Sequence, residues 1–273
     1  MFKQLWQKLT RREDRPEAAQ ATQAASSPRP RLSTAELASL PDSGLMQANH
    51  RFAFKLWLAL QARDPGANLF FSPLSISMVL ALLAQGARGL SRTELETVLG
   101  TAGLPPEELL KDCQTLMRFL QLQGRGVELR LANSLWLPQQ LALEPDFQAL
   151  ARQVFQAEAV NLDFSSPEAL AEINAWASTQ THGRIASILN DLDPDSVLIL
   201  LNAIWFKGSW QEPFLPAATR PEPFQRASGD SVSAATMVQR LECRHRLLEG
   251  RCQVLALNYG LEAQASFYAL LPE

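Results

Sequence analysis

The sequence predicts an α+β fold in which helices come first and antiparallel strands come last. Two observations support this class. Apolar residues recur every three or four positions between residues 44 and 120, which is the period of a helix face. Between residues 224 and 273, short apolar segments alternate with polar or glycine-containing turns, as antiparallel strands do. The chain has no internal repeat, so we expect one folded unit of mixed type.

Length and composition are ordinary for a packed protein. The 273 residues are 47% hydrophobic and 19% charged, which allows a sizeable core. The net charge of -3 gives no reason to expect nucleic acid or an anionic membrane as a partner, since both need concentrated positive charge. No window approaches the run of about 18 apolar residues that crosses a bilayer.

The N-terminal segment differs in composition from the rest. Residues 1–35 begin with basic side chains but contain no apolar run long enough for a secretory signal, and their Gln, Ala, Ser and Pro content cannot bury enough surface to fold. We therefore predict a disordered leader over residues 1–43 and a folded domain over residues 44–273. The missing signal, taken alone, favours a cytoplasmic location.

Two long helices are predicted first. Apolar residues spaced by three or four favour a helix from Gly44 to about residue 60. A second helix should begin at Ser72 and Pro73, because serine is a good N-cap and proline suits the first helical position. This helix should end at Gly86, and it is apolar on nearly all sides, so we expect it to be buried at the centre of the domain.

Further elements follow in order. Ser91 and Glu94 have the spacing of a capping box, which predicts a short helix that ends at Gly100. Later helices are predicted after Pro105, after Pro145 and after Ser166. Alternation predicts a strand over residues 127–137, and a shorter strand is expected over residues 160–164. Residues 196–206 are apolar on both faces, which is typical of a strand covered on both sides.

The sequence contains no sign of catalysis. It has no nucleophile elbow and no phosphate-binding glycine loop, so we predict that the chain is not an enzyme. The histidines are isolated from paired ligands, so neither a metal nor a cofactor is expected; they are His50, His182 and His245. The cysteines are odd in number, which favours buried free thiols over a bridge between the last two; they are Cys113, Cys243 and Cys252.

Asn202 is the one polar residue that demands an explanation. It lies within the strand predicted to be covered on both faces, where an unpaired amide would cost about 1–3 kcal/mol. It should therefore have a buried hydrogen-bond partner. Ser72 and Ser75, on the buried helix, are the candidates, and pairing with nearby backbone is the alternative.

Four segments carry a resemblance to a known family. They read NLFFSPLSISMVLALLAQGARG, ELRLANSLWL, INAWASTQTHGRI and LLNAIWFKGSWQEPF, and the later segment FYALLPE fits the same order. Together they resemble the serpin family over residues 44–273. Four dispersed motifs in the right order are far more specific than a single short one.

The resemblance implies a fold, a mechanism and a partner. The fold would be the serpin-like α+β fold, with N-terminal helices plus mixed and antiparallel sheets. Serpins trap serine or cysteine proteases, because the cleaved reactive loop inserts into the main sheet and carries the acyl-linked protease with it. A serine-type or cysteine protease would therefore be the partner, and the inhibitor would undergo a large conformational change.

Particular residues match the family's motifs. Four of them resemble the shutter, where the buried helix meets the strands that part during insertion: Ser72, Pro73, Ser75 and Asn202. Trp210 resembles the tryptophan of the breach, where the loop first enters. The remaining signature residues are Phe206, Lys207, Gly208 and Phe214. On this interpretation the asparagine belongs to a polar clamp that holds a sheet able to open.

The chain departs from the family pattern at its end. A serpin would continue beyond Glu273 into further strands and the reactive loop, so we expect a serpin domain that is incomplete at the C-terminus and lacks the reactive bond. Such a chain could not inhibit by insertion. Val197 to Leu201 would then lie at an unpaired edge, which predicts poor solubility or self-association by strand addition.

Two questions stay open at this stage. The alternative to a protease inhibitor is a non-inhibitory interaction or chaperone-like protein on the same scaffold. The resemblance favours an extracellular location, whereas the N-terminus favours the cytoplasm. Glycosaminoglycan binding is disfavoured, because the region that precedes the alternating strand carries few cations and several acidic residues; these cations are Lys111, Arg118, Arg125 and Arg130.

Overall fold

A computed structural model describes residues 33–121, 123–124, 126–263 and 265–272. The described residues form two compact units. The first contains the described residues up to Gly208 together with Gln225–Ser231, and the second contains Ser209–Phe224 and the described part of Val232–Glu273. Residues 1–32 of the predicted leader lie outside the described residues.

The first unit is built from helices around one sheet. Its helices are α1 (Thr34–Ser39), α2 (Gly44–Arg63), α3 (Pro73–Gly86), α4 (Gly89–Leu99), α5 (Pro106–Phe119), α6 (Pro145–Phe155) and α7 (Pro167–Gln180). Its strands are β1 (Gln123–Gly124), β2 (Val127–Pro138), β3 (Ala157–Leu162) and β4 (Ile199–Gly208). None of the helices in the described ranges is both long and apolar enough to cross a membrane.

The end of the predicted leader differs from the prediction. Ser33 caps α1 in a capping box: its hydroxyl accepts a hydrogen bond from the Glu36 backbone N–H, and the Glu36 carboxylate accepts one from the Ser33 N–H. Leu40, in the 3₁₀ turn that follows, is buried. A capping box and one buried leucine therefore order residues that composition alone had assigned to a disordered segment.

The predicted helices are present, with one error in how they start. The Ser72 hydroxyl caps α3 by accepting from the Ser75 N–H, as predicted. The capping box predicted at Ser91 is wrong, because α4 begins two residues earlier, at Gly89. Gly100 ends α4 in the left-handed conformation (φ 72°), which glycine adopts without a steric penalty.

The sheet of the first unit has β2 at its centre. Strand β3 runs parallel to β2, and β4 runs antiparallel to it over ten residue pairs, from Val127 opposite Gly208 to Trp136 opposite Ile199. Within the described part of the chain, β4 pairs with β2 alone, so its other edge is open. This agrees with the prediction that the start of this strand would lie at an edge.

Each face of the sheet carries its own core. One face packs against α2, α3, α5 and α6 through residues that include Leu131 and Leu135. The other face carries Trp136, Leu201 and Ala203, which pack against α7 and the segment that follows it. The predicted double coverage holds at Leu200 and Leu201, which pack against opposite cores, but fails near the end of β4, where Ile204 and Phe206 are 39% and 46% exposed.

The second unit consists of strands. Strands β5 (Arg220–Gln225) and β6 (Ser231–Thr236) form a two-stranded sheet, and the turn that joins them belongs to the first unit. Strands β7 (Arg244–Leu248), β8 (Cys252–Tyr259) and β9 (Ala265–Pro272) form an antiparallel meander. Strand β5 was not predicted; its segment contains two prolines, and proline cannot donate a ladder hydrogen bond.

Candidate functional site

An amide pair joins the two long strands of the first unit. Asn133 on β2 and Asn202 on β4 stand directly opposite each other in the antiparallel register. The Asn202 side-chain amide donates to the Asn133 Oδ1 at 2.7 Å, and the Asn133 amide donates to the Phe155 carbonyl oxygen at the end of α6, at 2.8 Å. Asn133 is only 2% exposed. The pair thus links β4, β2 and α6 through one buried and one partly buried hydrogen bond.

The partner of Asn202 is therefore different from the predicted one. Neither Ser72 nor Ser75 bonds to it, and its side chain bonds to a second side chain rather than to backbone. The sequence did contain one indication of this partner. Asn133 occupies a position of the alternating strand where an apolar residue is expected. Pairing two such positions requires the register between β2 and β4, which the sequence alone does not give.

The N-terminus of α3 lies beside this pair. A cleft of about 360 Å³ is lined by Ser72, Ser75, Asn202, Ile204 and neighbouring apolar side chains of α3. The Ser72 hydroxyl is used as the helix cap. Ser75 is only 6% exposed, and its hydroxyl oxygen has no hydrogen-bond partner among the residues that the structure describes. The structure therefore brings three of the predicted shutter residues to one cleft, and Pro73 lies at the first position of α3.

This arrangement fixes β4 against β2 beside the cleft. The bonds of the amide pair are directional, so they add a specific side-chain connection to the backbone pairing of the two strands. Within the described residues the Ser75 hydroxyl has no protein partner, so it can bond to a polar group that enters the cleft.

A lid formed by α7 and its return segment covers the opposite face of the sheet. Asn174 of α7 accepts hydrogen bonds from the Ile188 and Leu189 backbone N–H groups and donates to the Leu189 carbonyl oxygen. Trp176 donates its indole N–H to Glu158 on β3 at 3.1 Å. Its ring also contacts Trp136 on β2, edge to face. We call α7 with residues 181–192 the lid, and these contacts hold it across the sheet.

Trp210 forms an aromatic cluster in the second unit. Its ring stacks on Tyr259 of β8, with ring centres 4.3 Å apart, and meets Phe214 and Phe267 edge to face. The cluster is supported by backbone bonds, since Gln211 donates to the Asn258 carbonyl and Gly260 donates to the Ser209 carbonyl. Trp210 also borders a cavity of about 500 Å³. Burial beside these rings raises the pKa of Tyr259.

The other signature residues are divided between the two units. The last three residues of β4 are Phe206, Lys207 and Gly208. They stand opposite Leu129, Glu128 and Val127 of β2, respectively. Phe214 belongs to the aromatic cluster of the second unit.

The cysteines are free thiols, as predicted, but only one is fully buried. Cys113 lies in the core, Cys252 is half-buried and Cys243 is exposed. The expectation that all three would be buried is wrong for Cys243, which is exposed in the irregular segment just before β7. Within the described ranges, no group of three or more His, Cys, Asp or Glu side chains is arranged to hold a metal ion.

Comparison with known proteins gives consistent results. A family model described as Serpin (serine protease inhibitor) matches residues 47–273. The leukocyte elastase inhibitor of Equus caballus is 36% identical over 234 residues, which cover 84% of this chain and 61% of that protein. The corticosteroid-binding globulin of Oryctolagus cuniculus is 36% identical over 239 residues, covering 85% of this chain and 61% of the relative.

The fold agrees with solved structures. The reactive-loop-cleaved form of human thyroxine-binding globulin superposes with a TM-score of 0.78 at 30% identity, covering 85% of this chain and 70% of that one. The chain thus spans about three fifths of the length of the two curated relatives described above.

Proposed function

The chain belongs to the serpin family, and we propose that it supplies the sheet-opening part of a serine protease inhibitor. The observation that carries the proposal is the Asn133–Asn202 pair beside the open cleft at Ser72 and Ser75. In this proposal the four residues Ser72, Pro73, Ser75 and Asn202 act as the shutter, and Trp210 marks the breach. Phe206, Lys207, Gly208 and Phe214 support these two regions.

The physical argument concerns the edge of β4. An inserted strand needs an edge whose backbone groups can be reached, and β4 pairs on one side only within the described residues. It also needs an adjoining interior that can accept it, and the unpartnered Ser75 hydroxyl lines a cleft at that position. The amide pair holds β4 to β2, so that β4 keeps its place while the other edge changes partners.

Protease inhibition itself is proposed for a chain that also carries a reactive loop. Trapping requires a loop that the protease cleaves and that becomes acyl-linked to it. The partner would be a serine or cysteine protease, the site of action would be extracellular, and the conformational change would be insertion of the loop beside β4. The partner and the trapping step rest on membership of the family and on the leukocyte elastase inhibitor relatives. The extracellular site of action rests on the family alone, and a cytoplasmic site is the alternative.

The first test is the intact mass of the endogenous protein, captured with an antibody against residues 44–200. The captured protein is then incubated with a panel of serine proteases and separated under denaturing conditions. We expect a mass above the 30.2 kDa of this chain and a protease complex that survives denaturation. The same proteases with their catalytic serine blocked serve as the control and should give no complex. Cleavage without a stable complex would contradict inhibition by trapping.

A second candidate function is binding of a small hydrophobic ligand without inhibition. The observation that favours it is the 36% identity to corticosteroid-binding globulin, whose name states that it binds corticosteroids. A non-inhibitory interaction or chaperone-like role on the same scaffold belongs to this class. Equilibrium dialysis of the captured protein with a radiolabelled corticosteroid would test it, and a stable protease complex would count against it.

A further inference from the structure

The cleft beside the amide pair is built like a site for a small ligand. Its volume is about 360 Å³. Ligand sites are mostly apolar, with a few polar groups that fix the orientation of the ligand. Most of this cleft is aliphatic: Ile76, Val79 and Leu80 share one face of α3, and Ile204 lies across from them on β4. The remaining lining groups are two hydroxyls and one amide.

One of the three polar groups in the cleft has no partner within the described residues. The Ser72 hydroxyl accepts the hydrogen bond that caps α3, and the Asn202 amide donates to Asn133. The Ser75 hydroxyl has no such bond, although its residue is 94% buried, being only 6% exposed. Buried hydroxyl groups in folded proteins are normally hydrogen-bonded. Ser75 is therefore the group to which a ligand in the cleft would bond.

The lining also limits the charge and the size of the ligand. In the described part of the chain, none of the side chains that line the cleft is charged, and an ionised group that leaves water without a partner is strongly disfavoured. At about 30 Å³ per atom, the share of one molecule in liquid water, the cleft holds about a dozen non-hydrogen atoms. A corticosteroid is larger, so this cleft is too small to enclose the ligand of the second candidate function.

We propose that the cleft binds a neutral aliphatic molecule of up to about a dozen non-hydrogen atoms that carries one hydroxyl group, such as a medium-chain alcohol. The hydrocarbon chain of the ligand lies against the aliphatic side chains of α3 and β4. Its hydroxyl oxygen accepts a hydrogen bond from the Ser75 hydroxyl. A ligand on this part of β4 would also obstruct an entering strand; that consequence rests on the proposed function, whereas the binding itself does not.

Binding of 1-hexanol to the 273-residue chain tests the proposal, with saturation-transfer difference NMR as the measurement. From 1-butanol to 1-hexanol we expect the affinity to rise by about three- to fourfold for each added methylene, the gain from removing one such group from water. Hexanoate has the same chain length but carries a negative charge at neutral pH. It should bind more weakly than 1-hexanol by about tenfold or more, because its carboxylate would lose water without gaining a cation.

Three variants locate the binding. Ser75→Ala removes the hydroxyl but keeps the aliphatic lining, so it should weaken 1-hexanol binding by about three- to tenfold, the effect of one hydrogen bond. Val79→Phe fills the cleft and should abolish binding. Ser77→Ala is the matched control: this serine is also buried on α3, but its hydroxyl donates to the Leu74 carbonyl oxygen and does not line the cleft. It should leave the affinity unchanged. Circular dichroism checks the fold of each variant.

The possible results are decisive. The proposal is overturned if 1-hexanol does not bind to the wild-type chain, which includes the case in which a strand of a second copy fills the cleft. It is also overturned if Ser75→Ala binds as tightly as the wild type, or if Ser77→Ala weakens binding equally. None of these measurements involves a protease, so failure of ligand binding and failure of the proposed function are distinguishable.

Discussion

At the scale of single residues, the Asn133–Asn202 pair explains why an asparagine interrupts an apolar strand. Asn202 donates a hydrogen bond to Asn133, and Asn133 in turn donates one to the Phe155 carbonyl oxygen. The need for a buried partner could be predicted from the sequence, because an amide at that position is costly when unpaired. The identity of the partner could not, because it depends on which residues of two strands face each other.

Replacing the members of this pair should give unequal and non-additive losses of stability. We expect Asn133→Ala to lower the free energy of unfolding by about 2 kcal/mol, because it leaves the Phe155 carbonyl and the Asn202 amide unpaired in a buried site. Asn202→Ala should cost about 1 kcal/mol, since Asn202 is half-buried. Urea unfolding followed by circular dichroism measures both changes.

The double variant is the control for this pair. Because the two side chains share one hydrogen bond, its loss should be smaller than the sum of the single losses by about 1 kcal/mol. Losses that simply add would show that the bond contributes nothing to the stability of the sheet.

In the folded chain, the Cys113 thiol should not react with an alkylating agent, whereas the Cys243 thiol should. Burial, with a smaller effect from the charge of Asp112, raises the pKa of the Cys113 thiol to about 12. The thiolate is the reactive form, so the folded chain at pH 8 should be alkylated by iodoacetamide at the exposed Cys243 and not at Cys113. Peptide mass spectrometry gives the extent at each site. Equal labelling of both in the folded chain would be inconsistent with this assignment, and unfolding in urea should expose all three thiols.

The same shift has a consequence in alkali. The folded-state pKa of Cys113 is raised above the ordinary thiol value of 9.0, so the folded chain keeps a proton that the unfolded chain loses. The associated stability is fully present below about pH 9 and is lost as the pH rises towards the folded-state value. The urea midpoint should therefore fall between pH 8 and pH 10.5, and it should fall less in Cys113→Ala. An equal decline in both proteins would assign the effect to other groups.

At the scale of elements, local rules predicted most starts and ends correctly. Ser72 caps α3 and Gly100 closes α4, because each rule concerns atoms only a few residues apart. The capping box assigned to Ser91 failed where a competing start at Gly89 was available. Strand β5 was missed because its prolines are tolerated in a small two-stranded sheet. The register of the strands and the exposure of residues such as Ile204 depend on the assembled sheet, so they could not be predicted from the sequence alone.

Replacing Ser72, the N-cap of α3, and Ser75, three residues further on, by alanine should have different effects on stability. Ser72→Ala removes the helix cap and should lower the free energy of unfolding by about 1 kcal/mol. Ser75→Ala removes a buried hydroxyl that has no partner, so we expect no loss or a small gain in stability. Thermal unfolding of the two variants beside the wild type measures both. A loss at Ser75 as large as that at Ser72 would mean that the Ser75 hydroxyl is hydrogen-bonded in solution.

At the scale of the whole molecule, the open edge of β4 should determine how the chain associates. Within the described residues this edge has no partner, and Ile204 and Phe206 leave apolar surface exposed on the same strand. Edges of this kind accept strands from other chains, and lysine on an edge opposes such pairing. We expect the 273-residue chain to form oligomers whose size grows with concentration in sedimentation velocity experiments.

Lysine substitutions at two positions distinguish strand pairing at the β4 edge from non-specific association through exposed apolar surface. Ile204→Lys puts a charge on the β4 edge strand and should shift the population towards monomer. Leu58→Lys introduces the same charge at a leucine on α2 that is more exposed than Ile204, at 57% against 39%, but lies away from the sheet, so it should leave association unchanged. If both variants dissociate the oligomers equally, association is driven by exposed apolar surface at large. If the wild-type chain sediments as a single monomer at every concentration, the β4 edge is protected in solution and the predicted self-association is wrong.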